Sequence, residues 1–384
     1  MGYNFDIPVN RRGTESYKWD SDPDADVLPL WVADMDFPTA PCIVEALQKR
    51  VAEGVFGYVK VSESYYEALA GWFADRHGWV IDPEMVIYTS GVVPAISAIV
   101  MMLTQPGNGV ILQTPAYNCF FSSIRNNGCV AVENTLLRRE TAEGLSFEID
   151  FDLLERQASD PANVLLLLCN PHNPTGRVWT RPELERVRDI CRRHGVRVVS
   201  DEIHCELVHP GFRYIPYATI DDGAIVCCSP SKAFNIAGLQ IANIVAPDGE
   251  MRARIDRGIN INEVCDVNPF GVIALREAYT HGAEWLDALN KYLYSNYLFL
   301  REYLAERMPQ LKVCNSESTY LAWIDITPLG LSSEEVEERA RRQGRVWVNA
   351  GDMYGGAGYV RINYACPRVR LEEGLRRFCS AFRL

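Results

Sequence analysis

A protein captures a carbonyl compound as a Schiff base only where one lysine is both placed and stripped of water. With six lysines against thirty-two arginines, the chain makes that search short. Lys18, Lys49, Lys60, Lys291 and Lys312 stand in polar, charged or helix-surface contexts. Lys232 stands in Cys228-Ser229-Pro230-Ser231-Lys232-Ala233-Phe234-Asn235, just past an apolar run that reads as a buried strand. The carboxyl ends of such strands are where open α/β sheets gather ligands. An apolar surround lowers an amine's pKa toward that of a nucleophile and base, and the two nearby serines can donate to a phosphate. Asp201, in Val198-Val199-Ser200-Asp201-Glu202-Ile203-His204, ends another such run. A carboxylate there can hold an aromatic ring nitrogen protonated and so make the ring an electron sink. The 31 residues between Asp201 and Lys232 are about one β-α-β step.

Two turns extend the set. Cys169-Asn170-Pro171-His172-Asn173-Pro174-Thr175-Gly176 has two Asn-Pro steps and a Gly, a stiff turn whose Asn amide can donate to a phenolate oxygen. Thr89-Ser90-Gly91-Val92-Val93-Pro94-Ala95 puts a glycine turn before a helical pattern, whose free N–H groups can cradle a phosphate. Singly these are a solvated lysine, a capping Asp and two ordinary turns. Their order along one sheet is what gives them meaning.

The elements that must position them are legible too. Met85 to Thr89, Val110 to Gln113, Val130 to Asn134, Val164 to Cys169, Val196 to Ser200, Ala224 to Cys228 and Gln240 to Val245 read as strands between helical patterns. Continuous apolar runs such as Val164 to Leu168 are expected of a mostly parallel sheet with helices on both faces. Thr180-Arg181-Pro182-Glu183 predicts a capping box, and Arg192-Arg193-His194-Gly195 the end of the same helix. After residue 285 the pattern changes to amphipathic helices, Trp285 to Arg307 and Ser333 to Gln343, with strands Thr319 to Asp325 and Tyr359 to Asn363. The expected architecture is α/β. It has an N-terminal segment 1–48 against the small domain and the site, a large domain 49–284, and a small α+β domain 285–384, packed as one unit.

Composition narrows the function classes. A net charge of −12 disfavours nucleic acid. No run approaches a membrane span, and the start lacks a signal peptide's basic end and apolar run, so a cytoplasmic location is expected. Twelve cysteines without a C-x-x-C, among them the adjacent Cys227-Cys228 in an apolar run, read as buried thiols. Six histidines form no ligand cluster, and no metal is expected. Gly351 to Gly358 precedes a strand and lacks the G-x-G-x-x-G spacing, so it reads as a flexible loop shaping the site entrance and gives no support to a nicotinamide dehydrogenase.

In order and identity these motifs resemble the fold type I pyridoxal-phosphate enzymes, the aspartate aminotransferase superfamily, over essentially the whole chain. Trp31-Val32-Ala33-Asp34-Met35-Asp36-Phe37, Val55-Phe56-Gly57-Tyr58, Gly91 to Ala95, Asp201 to His204 and Arg361 to Arg368 look like the MalY/PatB type of cystathionine β-lyase, also called cysteine-S-conjugate β-lyase. The resemblance implies Lys232 as the Schiff-base lysine and general base, with Asp201 at the pyridine nitrogen. Asn173 and His204 are implied at the ring hydroxyl and Tyr117 stacked on the ring. Gly91, Val92, Val93, Ser229 and Ser231 are implied at the phosphate. Arg361 is implied at the substrate α-carboxylate, with Val32, Ala33 and Asn173 beside it. Tyr58 is implied to reach the neighbouring subunit's cofactor phosphate, hence a homodimer with shared sites. Where many relatives carry a phosphate-binding arginine, eight residues after the lysine, this chain has Gln240.

The implied reaction is β-elimination at a carbon–sulfur bond of an amino acid, giving a thiol, pyruvate and ammonia. A class I/II aminotransferase is the alternative, since both reactions begin with loss of the α-proton. A binding protein that kept the fold would be expected to have lost one of Lys232, Asp201, Asn173 or Arg361, and all four are present.

Overall fold

All seven predicted strand runs pair into one sheet in the computed structural model, which describes residues 2–141, 144–262 and 266–382. Their spatial order is Val86–Thr89, Ala242–Val245, Ile225–Cys228, Arg197–Asp201, Asn163–Cys169, Gly109–Thr114 and Val130–Thr135. Only Ala242–Val245 runs antiparallel to its neighbours. The alternation of side chains along each strand splits the apolar runs between two layers. Leu165 and Leu167 pack with Ile96, Ile99 and Phe120 on one face, and Leu166 and Leu168 with Trp179, Leu184 and Val187 on the other. Helices therefore cover both faces, and all six residues of Gly109–Thr114 are buried.

Boundaries moved by a residue or two where local geometry intervened. Met85 ends a short 3-10 turn, Pro83–Met85, and Gln240 is left-handed at φ 52°, so the last strand begins only at Ala242. The helix Arg181–His194 has the expected capping box on Thr180 and Glu183 and closes on Gly195 at φ 72°.

The C-terminal part has a four-stranded antiparallel sheet ordered Lys312–Val313, Leu321–Asp325, Tyr359–Asn363, Asn349–Ala350. The helices Ala283–Arg307, Ser333–Arg342 and Arg368–Ala381 belong to the same part. The N-terminal stretch joins it, for Leu28–Pro29 pairs in parallel with Val346–Trp347. No described helix is long and apolar enough to cross a membrane, and the eleven described cysteines, Cys227 and Cys228 among them, form no disulfide with one another.

Register aligns the carboxyl ends of the central strands. Cys169 lies opposite Asp201, and Asp201 opposite Cys227. The loops after these strands therefore open on the same edge of the sheet, toward the N-terminal stretch and the C-terminal sheet.

Candidate active site

At that edge lies a cavity of about 380 Å³, in the range of small-molecule sites. Of the sequence-predicted residues, Val32, Ala33, Gly91, Val92, Val93, Tyr117, Asn173, Asp201, His204, Ser231, Lys232 and Arg361 all line it.

Lys232 is half-buried, and its Nζ donates to the neutral carbonyl of Ala33 at 2.8 Å. Burial first, then the nearby Arg361 guanidinium, lowers its pKa, while Asp34 and Asp201 act in the opposite sense. Lys18 corrects the expectation of a polar or surface setting, because it is buried, at 2 % exposure. Its Nζ lies between Asp34 Oδ1 at 3.4 Å and Asp36 Oδ2 at 3.3 Å. Two carboxylates face that amine, whereas the hydrogen-bond acceptor of Lys232 Nζ is a backbone carbonyl.

Asp201 is pushed up to about 7, chiefly by burial and further by Glu202, against a hydrogen bond from the Ile203 N–H and the charge of Lys232. A cation at its carboxylate would relieve that desolvation, as a protonated ring nitrogen does. Glu202, a residue that sequence reasoning gave no role, is also buried and pushed up to about 7. It accepts from Asn170 Nδ2 at 3.2 Å, Ser200 Oγ at 2.8 Å, the Tyr217 N–H at 2.9 Å and the Tyr214 hydroxyl. It thus ties the ends of two strands together beneath the cavity.

Arg361 donates through Nη1 to Asn173 Oδ1 at 3.2 Å and through Nη2 to the Trp31 carbonyl at 3.3 Å. Its guanidinium lies 4.5 Å over the Tyr354 ring, and its Nε has no partner. With Asn173 Oδ1 engaged, the amide nitrogen is left to donate. His204 is buried, driven down to about 3 by burial and by the charges of Lys232 and Arg361, and its Nδ1 has no partner.

The helix Val92–Leu103 opens on Gly91 with no capping side chain, so the Val92 and Val93 N–H groups face the cavity unpaired by the helix itself. Ser231 is beside them in the lining. These unpaired groups, with the Lys232 amine and a carboxyl awaiting a cation, match the phosphate, aldehyde and ring nitrogen of pyridoxal phosphate.

Two expectations, for Ser229 and for the loop Gly351–Gly358, need correcting, whereas that of Tyr58 concerns a neighbouring subunit. Ser229 is buried away from the cavity, donating to the Ile241 carbonyl at 2.5 Å and accepting the Ser231 N–H at 3.1 Å, so it supports Ser231 instead of lining the site. Tyr58 is 95 % exposed and outside the cavity of its own chain, beside exposed Val55 and Phe56. The loop Gly351–Gly358 is a fixed turn. Gly351 N–H donates to Tyr359 at 2.8 Å and Gly356 N–H to Gly351 at 3.0 Å, with Gly356 against Trp323. It does shape the entrance, through Met353 and Tyr354. Gln240 is outside the cavity, whose lining from that stretch is Ala237 and Ile241.

Sequence reasoning also passed over Tyr17 and Asn349, both in the lining. Neither belongs to a motif named from the sequence, and the pairing of the N-terminal stretch with Val346–Trp347 brings them together.

Residues 25–378 match the family described as aminotransferase class I and II. Cystathionine β-lyase PatB of Bacillus subtilis (strain 168) is 39 % identical, over 98 % of this chain and 99 % of its own. Protein MalY of Escherichia coli (strain K12) is 36 % identical, over 99 % of each. Among solved structures, cystalysin from Treponema denticola, which contains pyridoxal 5′-phosphate, superposes with a TM-score of 0.95 at 35 % identity, covering 99 % of both chains.

Proposed function

The chain belongs to the class I and II aminotransferase family, and from that premise we propose that it is a pyridoxal-phosphate-dependent carbon–sulfur β-lyase acting on L-cystathionine or a related cysteine S-conjugate. The observation that carries this reading is the Lys232 amine held on a neutral carbonyl, within one cavity that also holds Asp201 and Arg361. Relatives named as cystathionine β-lyases and C–S lyases favour elimination over transamination.

The cofactor would be held by the Val92 and Val93 N–H groups and the Ser231 hydroxyl at its phosphate. Tyr117 would stack on its ring, Asn173 and His204 would meet its hydroxyl, and Asp201 its ring nitrogen. Bound through Lys232, pyridoxal phosphate supplies an electron-poor ring that accepts the electron pair of a breaking Cα–H bond. Arg361 clamps the substrate α-carboxylate, a task suited to a planar guanidinium whose stem is already fixed by Asn173 and Tyr354. Once its amine is released by that of the substrate, Lys232 Nζ takes the α-proton as general base. Its lowered pKa keeps a fraction neutral for that purpose. Departure of the thiolate from the β-carbon leaves a three-carbon fragment that hydrolyses to pyruvate and ammonia.

Arg361 is the one arginine among the described residues lining the cavity, which leaves a second substrate carboxylate without a cationic partner. That supports a lyase over an aminotransferase specialised for dicarboxylates. We also assign Tyr58 to the neighbouring subunit's site in a homodimer. Its exposure beside Val55 and Phe56 is what a face covered by a second copy would leave in one chain. A cytoplasmic location accords with described cysteines that form no disulfide with one another.

The purified protein should be yellow, with the colour fixed to the chain by borohydride. With a cysteine S-conjugate and no keto acid, it should release pyruvate and thiol over many turnovers. Arrest after one equivalent, relieved by adding a keto acid, would establish the aminotransferase instead.

A further inference from the structure

One wall of the cavity is built in a way the elimination chemistry does not require. Trp31 and Tyr17 line it, and the two rings lie 5.2 Å apart at 49°. Behind Trp31 stands Trp347, parallel to it at 4.1 Å and 11°. Behind Trp347 lies the Arg341 guanidinium, 4.0 Å from the ring centre and anchored through Nε to Asp22 at 2.5 Å. Both indoles are pinned at their edges, Trp31 Nε1 donating to the Lys18 carbonyl at 3.1 Å and Trp347 Nε1 to Glu337 at 3.0 Å. The stack is thus fixed in place before any ligand arrives. Tyr17, packed against the Trp31 ring, is 73 % exposed.

The chemistry of the remaining lining is equally specific. Among the described residues its charged or basic groups are Asp201, His204, Lys232 and Arg361, all needed by the cofactor, the proton transfer or the α-carboxylate. The distal end of cystathionine carries an ammonium and a carboxylate, and this wall offers neither a partner. A planar ring on the sulfur would stack on Trp31 and be covered by Tyr17, gaining contact energy and leaving no charge unpaired. Arg361 bonds to the backbone carbonyl of Trp31, so the guanidinium that would clamp the α-carboxylate and the residue bearing this indole are neighbours.

We infer that Trp31 and Tyr17 determine specificity at the sulfur substituent, and that the preferred substrates are cysteine conjugates whose sulfur carries an aromatic or heteroaromatic ring. This rests on the reading of the site as a β-lyase and names its substrate class.

The test compares S-benzyl-L-cysteine with S-cyclohexylmethyl-L-cysteine, which have equal carbon counts but rings of different planarity. Pyruvate release gives kcat/KM. The unreactive analogues with a methylene in place of sulfur give dissociation constants from the visible spectrum of the cofactor-loaded enzyme. The benzyl member of each pair should be favoured by about three- to tenfold, the range that aromatic pairing supplies beyond area. Trp31→Leu should bring the ratio to about one, and Tyr17→Leu, at an exposed position where folding is not at risk, should lower it. A wild-type ratio at or below one, a ratio that moves in neither variant, or a higher kcat/KM for cystathionine than for S-benzyl-L-cysteine would overturn the inference. If no conjugate yields pyruvate without a keto acid, the lyase reading fails, and ring selectivity is still decided by the binding of the unreactive pair.

Discussion

Lys232 and Asp201 owe their chemistry to the same cause, burial without a full counter-charge. Lys232→Ala should keep the fold and lose at least about a thousandfold in turnover, since general-base catalysis alone contributes about 10²–10⁴. A steady-state pyruvate assay checks it, and retention of more than a small fraction of activity would remove the lysine from the reaction. Asp201→Asn should retain the cofactor but turn over slowly, because an amide cannot keep a ring nitrogen protonated. The pH dependence of stability follows from the same burial. Asp201 and Glu202 have folded pKa values of about 7, raised above the unfolded carboxyl range. Their contribution is fully present below about pH 4 and is lost as pH rises through about 7. His172 and His204, held at about 3, act oppositely, and their contribution fades as pH falls from about 6.5 toward 3. Cofactor-free Asp201→Asn should therefore lose less Tm than wild type between about pH 5 and pH 8. Equal losses in a thermal scan would show that the Asp201 carboxyl does not titrate in that window. These residues were legible because each ends a strand run, where type and position together narrow the role. Glu202 was not, since its four donors come from Asn170, Ser200, Tyr214 and Tyr217, and only folding gathers them.

The turn from Asn170 to Gly176 shows how an element holds a side chain in place. Gly176 has φ +74°, and a Cβ there would fall 2.4 Å from Ser316 Oγ and 3.1 Å from Ser316 Cα. Its carbonyl accepts the Glu317 N–H at 2.9 Å and Ser318 Oγ at 3.0 Å, which fastens the turn to the C-terminal part. Gly176→Ala should cost about 1–3 kcal/mol from backbone strain alone. It should also weaken cofactor retention, since Asn173 moves with the turn; urea unfolding and a cofactor titration read the two effects. Elements like this were legible wherever local chemistry dictates geometry, as in the capping box of Thr180 and Glu183. Lys18 was misjudged because its neighbours in sequence are polar, while its burial comes from Asp34 and Asp36 folding over it. The fixed turn at Gly351–Gly358 was taken for a flexible loop for a related reason. Glycines signal freedom until a long-range partner such as Trp323 presses on them.

At the scale of the whole molecule, the large sheet follows from the spacing of apolar runs, whereas assembly between chains does not. Tyr58 has no work to do in its own chain's cavity, and that makes the shared-site homodimer testable. Mixing inactive Tyr58→Phe and Lys232→Ala proteins should restore activity once subunits exchange, because one site of each hybrid then has both groups intact. Silence in a mixture with demonstrated exchange would place Tyr58 outside the chemistry.

The N-terminal stretch has one further consequence, for synthesis. From Trp31 to Phe37 the backbone carbonyls are held by side chains drawn from the length of the chain, among them Lys232, Asn235, Tyr320, Asn349 and Asn363. Leu28 and Pro29 pair with Val346 and Trp347, and Asp22 meets Arg341 across 319 residues. A ribosome emits these distant partners only after most of the polypeptide has been translated. Until then the first segment can pack only on its own residues, such as Lys18 against Asp34 and Asp36, and the wall bearing Trp31 and Ala33 is not anchored. Prematurely terminated fragments lacking residues beyond 340 therefore cannot assemble the substrate side of the site. Whatever aldehyde chemistry Lys232 can do waits for a nearly finished chain.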